Sequence, residues 1–161
     1  MHIRLGELAD AEAIAAIYNA EVLGGTATFD LVPRTLEEQR EWLRVRSGAL
    51  AVVVAIVDDE LAGYASLSKF RDRPAYSTTV ESSVYVHEDY RRAGVAKALM
   101  SALLETAASH GFHAVIARIA DSQEASLQLH LQLGFSLVGV EREIGRKFGR
   151  WLDVSVMQVI I

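Results

Sequence analysis

The stretch Ser82–Leu104, SSVYVHEDYRRAGVAKALMSALL, decides the fold of this chain. It opens with Ser83–Val86, an apolar and partly β-branched run that is typical of a strand. The polar residues His87–Tyr90 then predict a turn. From Ala96 to Ala107, apolar residues recur at spacings of three and four, which predicts a helix with one apolar side. The predicted order is therefore a strand, a tight loop and a helix.

The loop Arg91–Ala96 has the composition of an anion-binding site. The first N–H groups of a helix have no acceptor within the helix, and they point beyond its end. Gly94 and Ala96 carry almost no side chain, so a diphosphate can approach their backbone closely. Basic side chains add positive charge at the same end, namely those of Arg91, Arg92 and Lys97. The alternative interpretation is a basic turn before an ordinary helix, because short motifs also occur by chance.

The composition favours one domain, residues 1–161, and argues against several classes of site. Apolar residues make up 51% of the chain, enough for a sizeable core. The formal net charge of −5 argues against nucleic acid as a partner. The chain has no cysteine, which excludes disulfides, thiolate metal sites and an acyl-cysteine intermediate. The histidines show no metal-ligand spacing with carboxylates, so we expect no metal site.

Targeting and membrane segments are also not expected. The longest uninterrupted apolar run, Ala49–Val57, is too short to cross a bilayer, which needs about 20 residues. Residues Met1–Arg4 lack the apolar core of a signal peptide. We therefore expect a cytoplasmic protein with no membrane partner.

Periodicity and turn residues predict the element order βααβββαβαββ, a sheet with helices on both faces. The predicted strands are Ile3–Leu5, Ala51–Val57, Leu61–Phe70, Thr78–Val86, Ala114–Ile119, a strand from Phe135 past Glu143, and Trp151–Ile160. The predicted helices run from the N-cap Asp10 to about Glu21, from the capping box of Thr35 and Glu38 to about Arg46, from about Gly94 to His110, and over Gln123–Leu133. A basic loop is expected over Gly145–Gly149.

Several motifs together resemble one protein family. Arg91–Ala96 resembles the coenzyme A pyrophosphate loop of the GNAT acyltransferases, Arg/Gln-x-x-Gly-x-Gly/Ala, with Arg92 where relatives often have glycine. Leu129–Phe135 is similar to a later segment of that family, in which an aromatic residue or histidine precedes Leu-Gly-Phe. Three segments resemble the branch of the phosphinothricin and methionine-sulfoximine N-acetyltransferases, namely Phe70–Tyr76, Thr79–Val86 and Lys147–Val154.

This resemblance covers nearly the whole chain and implies the GNAT fold. That fold is α/β (α+β), with a mixed, mostly antiparallel central sheet of about seven strands. Acetyl-CoA is the implied co-substrate. Val84-Tyr85-Val86 resembles the bulged segment whose backbone holds the pantetheine arm and polarises the acetyl carbonyl. The implied cofactor-binding residues are Val84, Tyr85, Val86, Arg91, Arg92, Ala93, Gly94, Val95, Ala96, Lys97 and Gln123, the last standing where the family usually has asparagine.

Glu81 is the candidate general base. Acetyl transfer needs a neutral amine, and a carboxylate in a partly desolvated cleft can accept the proton that the ammonium loses. On a strand, Glu81 shares one face with Ser83 and Tyr85. Relatives of this branch place a base at the matching position, whereas the alternative is a surface glutamate.

His130 stands where many GNAT enzymes have a tyrosine that protonates the leaving thiolate. A histidine near its usual pKa of about 6.5 can donate a proton, and the alternative is a hydrogen-bonded structural histidine.

Arg71 and Arg73 are candidate substrate residues, because guanidinium groups suit carboxylate and phosphinate oxygens; the alternative is that they are solvated loop residues. Phe29 and Tyr76 are candidate pocket walls or core covers. Lys147 and Trp151 also match this branch, and we interpret them as loop and interface residues. The resemblance implies a homodimer.

These features predict an acetyl-CoA-dependent N-acetyltransferase for phosphinothricin, methionine sulfoximine or methionine sulfone. Without cysteine, direct transfer in a ternary complex is favoured over ping-pong transfer. One alternative is acetylation of another amine, such as a polyamine or a protein N-terminus. Two others are a non-catalytic acyl-CoA-binding sensor and a nucleotide-binding regulator.

Overall fold

One mixed sheet joins the seven strands of the computed structural model, in the order β1-β2-β3-β4-β5-β7-β6. The structure describes residues 1–46 and 48–161. The strands are β1 (His2–Leu5), β2 (Val52–Val57), β3 (Glu60–Lys69), β4 (Thr79–Val86), β5 (Ala114–Ala120), β6 (Ser136–Lys147) and β7 (Arg150–Ile160). The helices are α1 (Ala11–Gly24), α2 (Leu36–Arg44), α3 (Val95–Ser109) and α4 (Glu124–Gln132). The predicted element order is confirmed.

The sheet is antiparallel except between β4 and β5. These two strands run parallel because α3 carries the chain across between them. Their pairing covers only four positions, from Thr79 opposite Ala114 to Ser82 opposite Ala117. Beyond Ser82 the ladder ends, so the middle of the sheet opens where β4 continues to Val86.

Each face of the sheet has its own core. Val80 on β4 packs with Leu99 and Leu103 of α3 on one face. On the other face Tyr85 packs against a cluster that holds Tyr64 of β3 and Tyr18 of α1. The alternation of a strand explains this division, because neighbouring residues point to opposite sides. Glu81, one residue after Val80, therefore lies on the face of Tyr85, as predicted, and this face is the α1 side.

The N-terminal caps predicted for α1 and α2 have different outcomes. The predicted capping box of α2 is confirmed, since Thr35 Oγ1 accepts from the Glu38 N–H at 3.2 Å and Glu38 Oε2 accepts from the Thr35 N–H at 2.7 Å. Asp10 precedes α1 as predicted, but its carboxylate pairs with Arg4 and accepts from the Glu7 N–H at 2.7 Å. Asp10 is itself in a helical conformation at the end of a 3-10 turn over Leu8–Asp10, so its side chain reaches back to Glu7 instead of capping α1.

The predicted basic loop Gly145–Gly149 is wrong. Strand β6 continues to Lys147, and the turn consists of Phe148 and Gly149, both with positive φ. A two-residue hairpin turn with positive φ at both positions matches the twist of the flanking strands, so no longer loop is needed. Lys147 is consequently not a loop residue. It is buried, and its Nζ donates to the carbonyl oxygens of Thr28 at 2.9 Å and Glu21 at 3.2 Å.

The described residues contain no helix that is both long and apolar enough to cross a bilayer.

Candidate active site

A cleft opens where β4 and β5 separate. The β4 segment Ser82–Tyr85 lines one side and the β5 segment Ala117–Ala120 lines the other. Gln123 and His130 reach it from the start and the end of α4. On its other edge β4 stays paired with β3, with Tyr85 opposite Tyr64. The cleft edge of β4 can therefore accept an extended ligand through main-chain hydrogen bonds.

The N-terminus of α3 lies directly after β4 and its short turn. The first amide bonded within the helix is that of Ala98, whose N–H donates to the Gly94 carbonyl at 3.1 Å. The preceding N–H groups, those of Val95, Ala96 and Lys97, have no acceptor within the helix. Gly94 has φ +80°, although a Cβ there would meet no atom within 4 Å. The glycine is thus needed for the backbone conformation rather than for space.

The basic residues of this loop divide into two groups. The Arg91 guanidinium donates to Glu21 of α1 at 2.7 Å, so it ties the loop to α1. Arg92 and Lys97 are exposed and form no ion pair with any residue that the structure describes. Arg92 also has φ +62°, a conformation that non-glycine residues seldom adopt. Ala93 is exposed, whereas Val95 is buried and can offer only its N–H.

Glu81 lies half-buried near the closed end of the β4–β5 split. Burial raises the pKa of its carboxyl, Arg118 opposes this, and Glu141 adds a smaller increase. A carboxylate that is partly removed from water has a higher proton affinity than an exposed one, which suits a group that accepts a proton near neutral pH.

His130 is buried at the end of α4. Its Nδ1 lies 2.7 Å from the Ser126 carbonyl, and its ring meets Phe135 edge-on at 4.9 Å. A carbonyl can only accept, so Nδ1 carries the hydrogen. Burial lowers the pKa of His130, partly opposed by the Ser126 carbonyl. The neutral ring then has no hydrogen on Nε2 to give, and this geometry favours the structural interpretation over the catalytic acid.

Gln123 sits at the start of α4, as predicted, and its Nε2 donates to Thr26 Oγ1 at 3.1 Å. The preceding turn is held by Asp121, whose carboxylate pairs with Arg150 at 2.8 Å. Asp121 and Ser122 both have positive φ. Thr26 belongs to the loop after α1, so the amide of Gln123 links that loop to the cleft.

The candidate substrate residues lie outside the cleft lining and in two separate loops. Arg71 stacks on Phe70 and Tyr76 before β4, with its Cζ 4.9 and 5.7 Å from the two ring centroids. Arg73 immediately precedes the short 3-10 turn that contains Tyr76. Phe29 follows α1, and its ring lies over Gly145 of β6, where an added Cβ would be 2.2 Å from the ring.

Sequence reasoning missed one pair beside the cleft. Arg118 of β5 binds Glu141 of β6 through two contacts, one of them 3.1 Å from Nη1 to Oε1. A single charge in the apolar strand AVIARIA was a usable signal, since alternation puts Arg118 on the face of Ile116 rather than in the α3 core. Its partner on β6 could not be found this way. Over residues 1–46 and 48–161, no three metal-ligating side chains converge, and the absence of a metal stays a prediction.

Residues 3–156 match the family model described as an acetyltransferase (GNAT) domain. The chain therefore belongs to the GNAT acetyltransferase family. A Pseudomonas aeruginosa L-methionine sulfoximine/L-methionine sulfone acetyltransferase is 39% identical over 159 residues, which is 98% of this chain and 92% of the relative.

Two solved structures are similar over almost the whole chain. A phosphinothricin acetyltransferase from Sinorhizobium meliloti in complex with acetyl-CoA is 36% identical, with a TM-score of 0.96, over 99% of this chain and 88% of that one. A ribosomal-protein-alanine N-acetyltransferase from Brucella melitensis is also 36% identical, with a TM-score of 0.98, over 100% of both chains. The predicted seven-stranded mixed sheet and GNAT fold are confirmed.

Proposed function

We propose that residues 1–161 form one N-acetyltransferase domain that acetylates the amino group of a small amino-acid-like substrate with acetyl-CoA. The proposed substrates are phosphinothricin, methionine sulfoximine and methionine sulfone. One observation carries the proposal: the free edge of β4 in the split sheet leads straight to the unpaired N–H groups at the start of α3. A thioester arm and a diphosphate need these two features in this order.

In this proposal the diphosphate of acetyl-CoA binds the N–H groups of residues 95–97, with Arg92 and Lys97 supplying charge. The pantetheine arm lies along the cleft edge of Val84–Val86 and meets Gln123 across the opening. A main-chain N–H near Val86 polarises the acetyl carbonyl. The fit is supported by two observations: Val84, Tyr85 and Gln123 line the cleft, and the N–H groups of residues 95–97 have no acceptors within α3.

The chemistry is direct transfer in a ternary complex. The neutral amine attacks the thioester carbon, an N–C bond forms, and the C–S bond breaks to release the thiolate of coenzyme A. Glu81 accepts the proton that the amine loses, directly or through water. No acyl-enzyme on sulfur is available, because the chain has no cysteine. Since His130 has its hydrogen on Nδ1, we assign it a structural role in the wall of the cleft.

Substrate selection is assigned to two loops outside the cleft lining, the segment before β4 and the segment after α1. Arg71 and Arg73 provide guanidinium groups for the carboxylate and the phosphinate or sulfone oxygens. Tyr76 supports Arg71, and Phe29 forms a wall on the side of β6. The names of the Pseudomonas and Sinorhizobium relatives support this substrate class.

A thiol-release assay with acetyl-CoA tests the proposal. Phosphinothricin, methionine sulfoximine and methionine sulfone should give turnover, and a polyamine should give little because the two arginines repel it. Binding of coenzyme A without turnover on any amine would indicate a sensor instead. Stabilisation against heat by ATP or NAD rather than by acetyl-CoA would indicate a nucleotide-binding regulator.

A protein N-terminus is the second candidate acceptor, because the Brucella relative is named for a ribosomal protein alanine. A short peptide that begins with alanine belongs in the same assay. A higher kcat/KM for that peptide than for the three amino-acid analogues would replace the proposed substrate class and leave the acetyl-CoA chemistry intact.

The proposal also includes a homodimer in the cytoplasm, where acetyl-CoA is available. Strand β6 is an edge of the sheet, and it exposes apolar side chains at Leu137, Val138, Val140 and Ile144. Such edges are usually covered in natural proteins. Light scattering after size exclusion should give twice the chain mass, and a monomer would contradict the dimer.

A further inference from the structure

The Arg118–Glu141 pair lies on the same face of the sheet as Glu81. Glu81 is opposite Ile116 on β5, and Arg118 is the next residue of that strand on the same side. The residues between them belong to the other face, since Val115, Ala117 and Ile119 pack in the α3 core. Arg118 therefore projects from the same side of the sheet as Glu81. It lies two residues beyond Ile116 along β5, where β4 and β5 have separated.

Glu141 reaches Arg118 diagonally across β7. Arg118 is opposite Val156, and Glu141 is opposite Val154, two residues along the same strand. Both oxygens of Glu141 contact the guanidinium, which fixes its orientation. The exposed side-chain fractions are 33% for Arg118 and 39% for Glu141, so the pair is partly screened from water at the edge of the cleft.

Few other charges act on Glu81. From β3 its neighbour is Ser68, whose hydroxyl donates to the Glu81 carbonyl at 3.4 Å. Its own strand brings Ser83 and Tyr85 to the same face, and neither is charged at neutral pH. In the described part of the chain, Arg118 and Glu141 are the charges that alter the pKa of Glu81, in opposite directions. Burial of the carboxyl has the larger effect and favours its protonated form.

We propose that Arg118 and Glu141 are positioning residues for acetyl transfer: Arg118 keeps the half-buried Glu81 ionised and able to take a proton, and Glu141 holds Arg118 in place and limits its effect. The inference rests on the proposed role of Glu81 as base. A purely structural ion pair would join β5 to β6 without affecting the ionisation of Glu81. The two roles therefore predict different results when each charge is removed separately.

The direction in which the pKa of Glu81 changes follows from which of the two charges remains. Removing Arg118 leaves the negative Glu141 and favours the protonated carboxyl, so Glu81 should titrate at a higher pH. Replacing Glu141 by Gln removes its negative charge but keeps an amide oxygen that can accept from Arg118, so Arg118 stays in place, the carboxylate is favoured and Glu81 should titrate at a lower pH. We expect each midpoint to change by about 0.5 to 1 pH unit, as for single charges that act on a neighbouring group near a protein surface.

The experiment is a carbon-13 NMR titration of the Glu81 carboxyl, assigned by its loss in Glu81→Gln. We expect a higher midpoint in Arg118→Met, a lower one in Glu141→Gln, and the wild-type midpoint in Arg118→Lys, which keeps the charge. The acid limb of the kcat/KM profile should move with each midpoint. Arg142→Met is the matched control, because Arg142 lies one residue from Glu141 and pairs with Asp153 instead.

Unchanged midpoints, or shifts of the same sign in both variants, would overturn the inference. If Arg118→Met does not fold, the direction in which the Glu81 midpoint moves in Glu141→Gln still tests the inference. The titration needs no turnover, so its result is independent of the proposed function. If no amine is acetylated, the proposed function is rejected. The midpoints then still show whether Arg118 and Glu141 control the ionisation of Glu81.

Discussion

The two halves of the proposed active site use different kinds of groups. The proposed cofactor half uses main-chain groups, namely the free edge of β4 and the N–H groups that open α3. The proposed amine half uses side chains, namely Glu81, the Arg118–Glu141 pair on the same face of the sheet, and Phe29 over Gly145 outside the cleft lining. A main-chain site depends on backbone conformation, which a short motif can specify. A side-chain site depends on which residues the tertiary fold brings together, so it can vary between relatives that share one cofactor.

Removing the base should have the largest effect and should be confined to the amine half. Glu81→Gln keeps the size of the side chain but cannot accept a proton, so kcat/KM for the amine should fall by about 10²- to 10⁴-fold. The Kd of acetyl-CoA, measured by calorimetry, should not change. Ser68→Ala, which removes a neighbouring hydroxyl from β3, is the control. Full activity of Glu81→Gln at neutral and alkaline pH would reject the base assignment.

Gly94→Ala should damage the cofactor half alone. The alanine has room but must adopt φ +80°, which costs about 1 to 2 kcal/mol and displaces the first N–H groups of α3. We expect the Kd of acetyl-CoA to rise roughly tenfold. Gly111→Ala is a closely matched control, because Gly111 follows the same helix with φ +79° and equal space. It should lose similar thermal stability while its Kd stays at the wild-type value; equal loss of binding in both variants would contradict the anion site.

Gly145→Ala should have a smaller effect on the amine half. Its Cβ would overlap the Phe29 ring, so the loop after α1 must move. We expect KM for the amine to rise several-fold, with a near-constant Kd for acetyl-CoA. Gly139→Ala lies on the same strand and meets nothing within 4 Å, so it should behave as wild type. An unchanged KM in Gly145→Ala would remove Phe29 from the substrate site.

The smallest effect concerns His130 and is a change of stability with pH. Burial lowers the pKa of His130 in the folded state, so the unfolded chain binds its proton more readily. This contribution to stability is present above the unfolded pKa of about 6.5 and is lost as the pH falls through the folded pKa. Chemical denaturation of His130→Gln should show a weaker pH dependence than wild type on the acid side. The exposed His110→Gln is the control, and an identical slope in all three proteins would contradict the buried neutral histidine.

Most of the fold could be predicted because its signals are local. The apolar spacing of α3, the capping box of Thr35 and Glu38, and the alternation that puts Glu81 on the face of Tyr85 each lie within a few residues. One error has a distant cause and the other a local one. The carbonyls of Glu21 and Thr28 draw Lys147 into a buried position at the end of β6. Asp10 does not cap α1 because it ends a 3-10 turn and its carboxylate binds Arg4 and the Glu7 N–H.

The candidate site divides in the same way. Arg91–Ala96 predicts an anion-binding loop before α3, but the tertiary fold turns Arg91 away to Glu21 and leaves Arg92 and Lys97 exposed. For His130 the sequence leaves the structural and the catalytic alternatives open. The 2.7 Å contact of Nδ1 with the Ser126 carbonyl shows which nitrogen carries the hydrogen, and burial against Phe135 lowers the pKa of the ring.

By itself, the sequence determined the order of strands and helices, the tight loop before α3 and the face that Glu81 shares with Tyr85, because each depends on residues that are neighbours in the chain. The tertiary structure alone decided where β4 and β5 part, that Glu141 meets Arg118, and that Phe29 covers Gly145. Those partners are 23 and 116 residues apart in sequence. Strand register and packing bring them together, and neither is encoded in the spacing of nearby residues.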